Sequence, residues 1–202
     1  MSLMGLDIGT TGTKATIFDE SAQILATAYR EYELLHPQPG WLELDAEQVW
    51  RMVRDAVAEA AGGARQDPVR ALAISTLGEA AVPIGQDGGI LANSIVGFDN
   101  RAAEMFDRWI ADQDPAAIMR ICGQPPSQMF TAIKLMWIRE NDPELYGRMS
   151  RCVCFGDFAH LMMGLEPRID YSMAARTMAF DIHRKRYSEE LCSWAGVDSG
   201  LF

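Results

Sequence analysis

The sequence predicts a mixed α/β domain: an antiparallel three-strand meander in a mixed sheet, flanking helices and a helical insertion. Three observations carry that prediction. Strand-like runs alternate with tight turns over the first thirty or so residues, a capped amphipathic helix leads into a short apolar run, and helical spacing dominates the second half.

The elements follow in order. Leu3 to Ile8 is apolar, Gly9-Thr10-Thr11-Gly12 is a turn, and Thr13 to Phe18 carries a β-branched pattern. Asp19-Glu20-Ser21 turns again, and Gln23 to Glu33 completes the meander. After the Pro37 to Gly40 loop, Asp45 and Gln48 have the spacing of a capping box. Val49, Val53, Ala56, Val57 and Ala60 then share one helical face up to Gly62-Gly63. Val69 to Ser75 reads as a buried strand because its apolar run is nearly continuous. Ala80 to Ile84 and Ser94 to Phe98 read as strands around a Gln86 to Gly89 turn.

Beyond residue 100, Ala102, Phe106, Trp109 and Ile110 mark a helix, and Asp114-Pro115 starts another that Gly123 stops. Ile133, Met136 and Trp137 mark a third helix, and Asp142-Pro143 opens a short one. Cys152 to Phe155 reads as a strand, Asp157 to Met163 as a helix ended by Gly164, and Ser188 to Ala195 as a helix ended by Gly196. The chain opens Met1-Ser2-Leu3 before a second methionine, so an expression scar and a native start are both open readings. The closing Leu201-Phe202 pair, with no polar tail, suggests a chain cut inside a larger fold.

Composition excludes several function classes. Eighteen Lys and Arg against twenty-eight Asp and Glu give a net charge of −10. No cation excess is available to bind a nucleic-acid backbone or an anionic membrane. Cys122, Cys152, Cys154 and Cys192 contain no CxxC pair and read as buried free thiols. His36, His160 and His183 lack metal-ligand spacing. With no apolar run of membrane-helix length and no leader peptide, the expectation is a cytoplasmic protein.

The most pointed stretch is Asp7-Ile8-Gly9-Thr10-Thr11-Gly12-Thr13-Lys14. Two glycines at a tight turn let backbone N–H groups approach an anion, the threonine hydroxyls add donors, and Lys14 adds a point charge. Asp7, at the strand end, is placed to hold a magnesium ion through water. Phosphoryl transfer needs those parts, since its catalysis is mostly positioning and charge neutralisation. A strand rather than a helix follows the turn, which excludes a P-loop and a dinucleotide fingerprint. An ordinary Gly/Thr hairpin with an exposed Asp stays open on these residues alone.

Asp7 to Asp19 resembles the first phosphate motif of the superfamily that contains actin, sugar kinases and heat-shock chaperones. Further segments narrow the resemblance to the FGGY carbohydrate kinases, among them xylulose, gluconate and glycerol kinases. Pro39 to Asp45 resembles their "PGW-E-D" segment, Asp99-Asn100-Arg101 the end of "W-D-R", and Lys134 to Trp137 "K-LW". Asp157 to Gly164 resembles "D-L---LTG", and Asp170 to Thr177 resembles "D-S-AS-T". The matches keep order and spacing over essentially the whole chain.

The resemblance implies a ribonuclease H-like domain of the actin-like ATPase superfamily, using ATP and Mg²⁺ to phosphorylate a sugar or polyol. It implies that residues 1–202 are the N-terminal domain, with the adenosine site and the general-base Asp beyond Phe202. The isolated domain is then expected to be inactive, and its uncovered surface makes a homodimer plausible. Asp7, Gly9, Thr10, Thr11, Gly12, Thr13 and Lys14 are the implied phosphate and magnesium contacts, Asp7 reaching the metal via water.

Leu77, Gly78, Glu79, Phe98, Asp99 and Met129 are the implied substrate contacts. Xylulose kinases show a Gln-Met-His-like triplet at 77–79 and glycerol kinases a Gln-Arg-Glu-like one, so Glu79 matches the latter. Leu77 and Gly78 match neither, and Gly97 replaces the Trp of "W-D-R". A roomier pocket or a lost activity follows. A non-catalytic sugar- or nucleotide-sensing domain is the alternative function. Asp99 and Arg101 read equally as sugar contacts or as an ion pair fixing a strand end. Met129 aligns with a substrate-facing Tyr but also reads as a core residue, and among the tryptophans only Trp41 suggests a sugar platform. The kinase reading requires a concavity beside the first hairpin, against the strand edges near Ser75.

Overall fold

Residues 2–31 form the expected meander, β1 (Ser2–Ile8), β2 (Gly12–Phe18) and β3 (Ile24–Glu31), in the computed structural model, which describes residues 1–202. The chain divides into two compact units, Met1–Leu34 with Leu44–Leu77, and Leu35–Glu43 with Gly78–Phe202. Strand β4 (Glu43–Leu44) lies where the chain passes between them, and α1 (Ala46–Gly63) and β5 (Val69–Thr76) complete the first unit.

The first unit is a four-stranded sheet in the order β3-β2-β1-β5, antiparallel within the meander and parallel between β1 and β5. Asp19 closes the β2–β3 turn by accepting from the Ser21 and Gln23 amides. Alternation gives β1 two faces: Met4, Leu6 and Ile8 are buried, while Leu3 and Asp7 face out. Helix α1 packs on β2 and β3 through Val49, Val53, Ala56 and Ala60, and a Cβ on Gly63 would lie 2.9 Å from the Cβ of Ala26. Of the expected capping box, the Asp45 half is present, its side chain accepting from the Gln48 amide at 3.0 Å.

Strand β5 departs from expectation. It lies at the sheet's end with β1 on one side, and Leu72 is 39% exposed. An apolar run reports affinity for a core, but burial depends on what covers the strand, and here one ladder covers one edge.

The second unit holds β6 (Val82–Gly85), β7 (Ser94–Ile95), α2 (Ala103–Ala111), α3 (Pro115–Cys122), α4 (Thr131–Asn141), α5 (Pro143–Arg148) and β8 (Met149–Val153). It continues through α6 (Phe155–Met162), α7 (Tyr171–Ala175), β9 (Phe180–Asp181), β10 (Arg186–Tyr187) and α8 (Glu189–Ala195). The helix starts follow the sequence signals: Asp114, Asp142 and Ser188 each accept from a first-turn amide. Gly123, Gly164 and Gly196 take the left-handed conformation after their helices. The Gln86 to Gly89 turn forms, yet β6 pairs along its length with β8, and only Ala81 bridges Ile95. Ile118, Phe130, Ile133 and Leu135 centre the core, each worth roughly 1.5–3 kcal/mol of burial. All four cysteines are free and buried, and no helix is long and apolar enough to cross a membrane.

Candidate functional site

The first hairpin is braced from beneath. The Gly9 amide donates to the Gly12 carbonyl at 2.9 Å, and the Tyr32 amide donates to the Thr11 carbonyl at 3.2 Å. The Tyr32 hydroxyl lies 2.6 Å from the Gly9 carbonyl oxygen and 3.0 Å from that of Gly12. Burial, then the nearby Asp7 carboxylate, raises the Tyr32 phenol well above its ordinary range, so it stays a donor. Thr13 is buried, and its hydroxyl donates to the Asp7 carbonyl at 2.7 Å. That hydroxyl therefore braces the turn from inside, leaving Thr10 and Thr11 at the tip.

The glycines are required by close approach. Neither Gly9 nor Gly12 has a positive φ. A Cβ on Gly12 would lie 2.7 Å from the Arg30 carbonyl and collide with the Tyr29 ring, and one on Gly9 would lie 3.1 Å from the Gly12 carbonyl.

Asp7 stands directly opposite Lys14 on β2 and Ser75 on β5, so the three form one row across the sheet. Asp7, Lys14 and Ser75 are exposed and line an open depression of ≈ 330 Å³. Its middle row, Thr16, Gly5 and Ala73, is small, which leaves the floor bare. The concavity required near Ser75 is present. No group of three or more His, Cys, Asp or Glu side chains could cage a metal. A magnesium ion bound to phosphate keeps most of its waters and needs one or two carboxylates, a role the exposed Asp7 fits.

In the second unit, Glu79 is the centre of a polar cluster. Its φ is 55, and its carbonyl accepts from Lys134 Nζ at 2.6 Å and Thr131 Oγ1 at 3.2 Å. Its carboxylate pairs with Arg176, whose side chain is 38% exposed against 5% for Glu79. Gly97 stands beside it, a Cβ there lying 3.6 Å from Glu79 Oε2. Lys134 is fully enclosed in α4, and burial pulls its ammonium down to about 8, against the opposing pull of Cys154 and Glu79.

Asp99 is 3% exposed, and its carboxylate is occupied. It accepts from the Leu42 amide at 2.5 Å and from the Arg101 amide, Nε and Nη2 at 2.8 to 2.9 Å. Arg101 also pairs with Glu43 at 2.8 Å and lies 4.0 Å over the Trp41 ring and 5.1 Å from that of Trp137. The ion pair expected of Asp99 and Arg101 is present, and Trp41 packs against the same guanidinium. Phe98 is 52% exposed, and Met129 is half-buried beside the core residue Phe130. Leu77 closes the first unit, its amide donating to the Ile8 carbonyl. Asp170 caps α7 by accepting from the Ser172 and Met173 amides, and Asp157 accepts from the Cys154 amide at the start of α6.

Sequence reasoning assigned no role to Tyr32, Thr131, Lys134 or Arg176. Lys134 carried a signal, a lone cation among Ile133, Leu135 and Met136, since such a charge must find a partner. Arg176 carried none beyond its place in a motif.

The model of the FGGY family of carbohydrate kinases, N-terminal domain, matches residues 2–202. A glycerol kinase of Thermococcus gammatolerans is 32% identical over 205 residues, covering 98% of this chain and 41% of that protein. A glycerol kinase of Nocardia farcinica is 32% identical, covering 97% and 41%. The crystal structure of xylulose kinase from Rhodospirillum rubrum superposes with a TM-score of 0.92 at 26% identity, covering 100% of this chain and 42% of that one. The chain thus spans about two fifths of the length of these relatives, and the ribonuclease H-like fold read from its sequence is theirs. With the braced Asp7 to Lys14 hairpin and a match along nearly its whole length, the chain belongs to the FGGY family of carbohydrate kinases.

Proposed function

We propose that this chain is the N-terminal part of an ATP-dependent carbohydrate kinase that transfers the γ-phosphate to a hydroxyl of a sugar or polyol. The hairpin from Gly9 to Lys14 holds the β- and γ-phosphates with its tip amides, the Thr10 and Thr11 hydroxyls and the Lys14 ammonium. Thr13 acts from inside by fixing the Asp7 backbone. Asp7 would hold Mg²⁺ through water, and the ion would supply charge neutralisation at the phosphates. Glu79 and its neighbours orient the substrate hydroxyl, and an Asp beyond Phe202 accepts its proton.

One observation carries this reading: the row of Asp7, Lys14 and Ser75 across the sheet lines a depression, next to a turn braced by Tyr32 and Thr13. The test is calorimetric titration of Mg-ATP into the full-length parent and its Asp7→Ala variant, with an assay of ATP-dependent phosphorylation of glycerol, xylulose and gluconate. Nucleotide binding weakened at least about tenfold by Asp7→Ala, together with turnover of one of these substrates, is expected. Turnover of none sinks the kinase reading. Polyol binding with no nucleotide binding would establish the sensing alternative, which the changed residues Leu77, Gly78 and Gly97 motivate.

A further inference from the structure

The loop that presents Glu79 carries no side chain at the preceding position, and the space above it is filled from elsewhere. A Cβ on Gly78 would lie 2.9 Å from Arg176 Nε and 3.5 Å from its Cδ. Arg176 follows the last turn of α7, nearly a hundred residues along the chain, and reaches back over this loop to pair with the Glu79 carboxylate. Its guanidinium carbon stands 5.9 Å from the centre of the Phe130 ring. Glu79 cannot swing away to meet it elsewhere. Its left-handed backbone is pinned through the carbonyl by Lys134 and Thr131.

Exposure orders the pair. The Arg176 side chain is 38% exposed and that of Glu79 5%, so an incoming ligand meets the guanidinium first and the carboxylate behind it. On the other side Glu79 Oε2 faces Gly97, which contributes no side chain there. A planar fork with five donors has N–H groups to spare after engaging one carboxylate oxygen.

We infer that Arg176 is the specificity-determining cation of the substrate site, standing where a side chain at position 78 would otherwise stand. With Glu79 it forms a donor–acceptor pair for two adjacent hydroxyls of an uncharged polyol. One hydroxyl accepts from the guanidinium, and its neighbour donates to Glu79 Oε2. Charge balance selects the class. Arg176 is already neutralised by Glu79, and Arg101 faces both Asp99 and Glu43. The third cation at the loop, Lys134, is enclosed in the core and spent on the Glu79 carbonyl, so no accessible unpaired cation is left for the carboxylate of a sugar acid. This inference rests on the proposed polyol site.

The test is titration of glycerol, xylitol and gluconate into the full-length parent, followed by calorimetry or protein NMR, with thermal unfolding as a fold control. Wild type is expected to bind xylitol more tightly than gluconate. Arg176→Ala weakens xylitol at least about tenfold, as loss of a charged hydrogen bond implies. Arg176→Lys keeps the charge but loses the fork, and it too weakens binding. Gly78→Arg alone weakens binding because it collides with Arg176. In the Arg176→Ala background, Gly78→Arg restores affinity, which a merely structural role for Arg176 would not produce. Unchanged xylitol affinity in Arg176→Ala, no recovery in the double variant, or preference for gluconate overturns the inference while leaving a polyol-binding kinase intact. No polyol binding by wild type removes the polyol site itself.

Discussion

Replacing Lys134 with methionine removes a cation that the core encloses without removing the volume of its side chain. In the native protein, Lys134 Nζ donates to the Glu79 carbonyl at 2.6 Å, and burial lowers its pKa from 10.5 to about 8. At about 1.4 kcal/mol per pH unit, holding the ammonium inside costs about 3 kcal/mol. Methionine relieves that cost but gives up a charge-assisted hydrogen bond of about 1.5–3 kcal/mol. The two proteins should therefore agree within about 1.5 kcal/mol at pH 7.

Their pH profiles should not agree. Below pH 8 the lysine is protonated in folded and unfolded chains alike, and the full cost is present. Between 8 and 10.5 the folded chain holds fewer protons than the unfolded one, so stability rises with pH. Urea unfolding from pH 7 to 10.5 measures it. The wild-type free energy minus that of Lys134→Met should climb by about 3 kcal/mol across the window. Taking the difference cancels the cysteines and tyrosines common to both chains. A flat difference, or a loss above about 4 kcal/mol at pH 7, would refute the reasoning, because the ammonium would then be net stabilising.

Two further variants address single groups. Burial pushes the Asp157 carboxyl up to about 7, against the hydrogen bond from the Cys154 amide, so its stabilising contribution is complete below about pH 4 and is lost as pH rises through 7. Asp157→Asn keeps an acceptor for that amide and should gain up to about 4 kcal/mol on wild type between pH 4 and pH 8, with parallel thermal-melt profiles as the contrary result. Asp99→Asn puts an amide among four donors and leaves Arg101 enclosed without its fork partner. A loss of about 3 kcal/mol in urea is expected, and a loss under about 1 kcal/mol would show that Glu43 alone satisfies Arg101.

What was legible in the sequence was whatever neighbouring residues decide. The meander, the Asp45 cap, the Asp-Pro helix starts and the stops at Gly123, Gly164 and Gly196 are set within a few residues and formed as read, whereas α1 runs through Gly62 and Gly63 and ends at Ala64. The partner of β6 was not legible, because β8 lies more than sixty residues away and the nearby turn pointed to Ser94 instead. Exposure of β5 depends on what lies beside it, which its own residues do not record. At the hairpin, residue types were read well but their directions were not. Thr13 alternates inward with the strand, and Gly12 is small for the sake of Tyr29 and Arg30. Arg176 reaches Glu79 across 97 positions, a pairing no local pattern encodes.

Both candidate sites are built on one physical device, polar groups held from behind so that their outward neighbours need not be ordered by the ligand. Tyr32 and Thr13 fix carbonyls of the hairpin, and Lys134 and Thr131 fix the carbonyl of Glu79. At Glu79 the device has a double cost, a left-handed non-glycine residue of about 1 kcal/mol or more and an enclosed ammonium. A fold optimised for stability alone would replace Lys134 with an apolar residue and Glu79 with glycine. Retaining both makes sense only if the direction of the Glu79 carboxylate matters more than the stability forgone. Bracing variants and contact variants should therefore separate: Lys134→Met loosens the site while leaving every ligand contact available, whereas Arg176→Ala removes a contact from a loop that stays fixed.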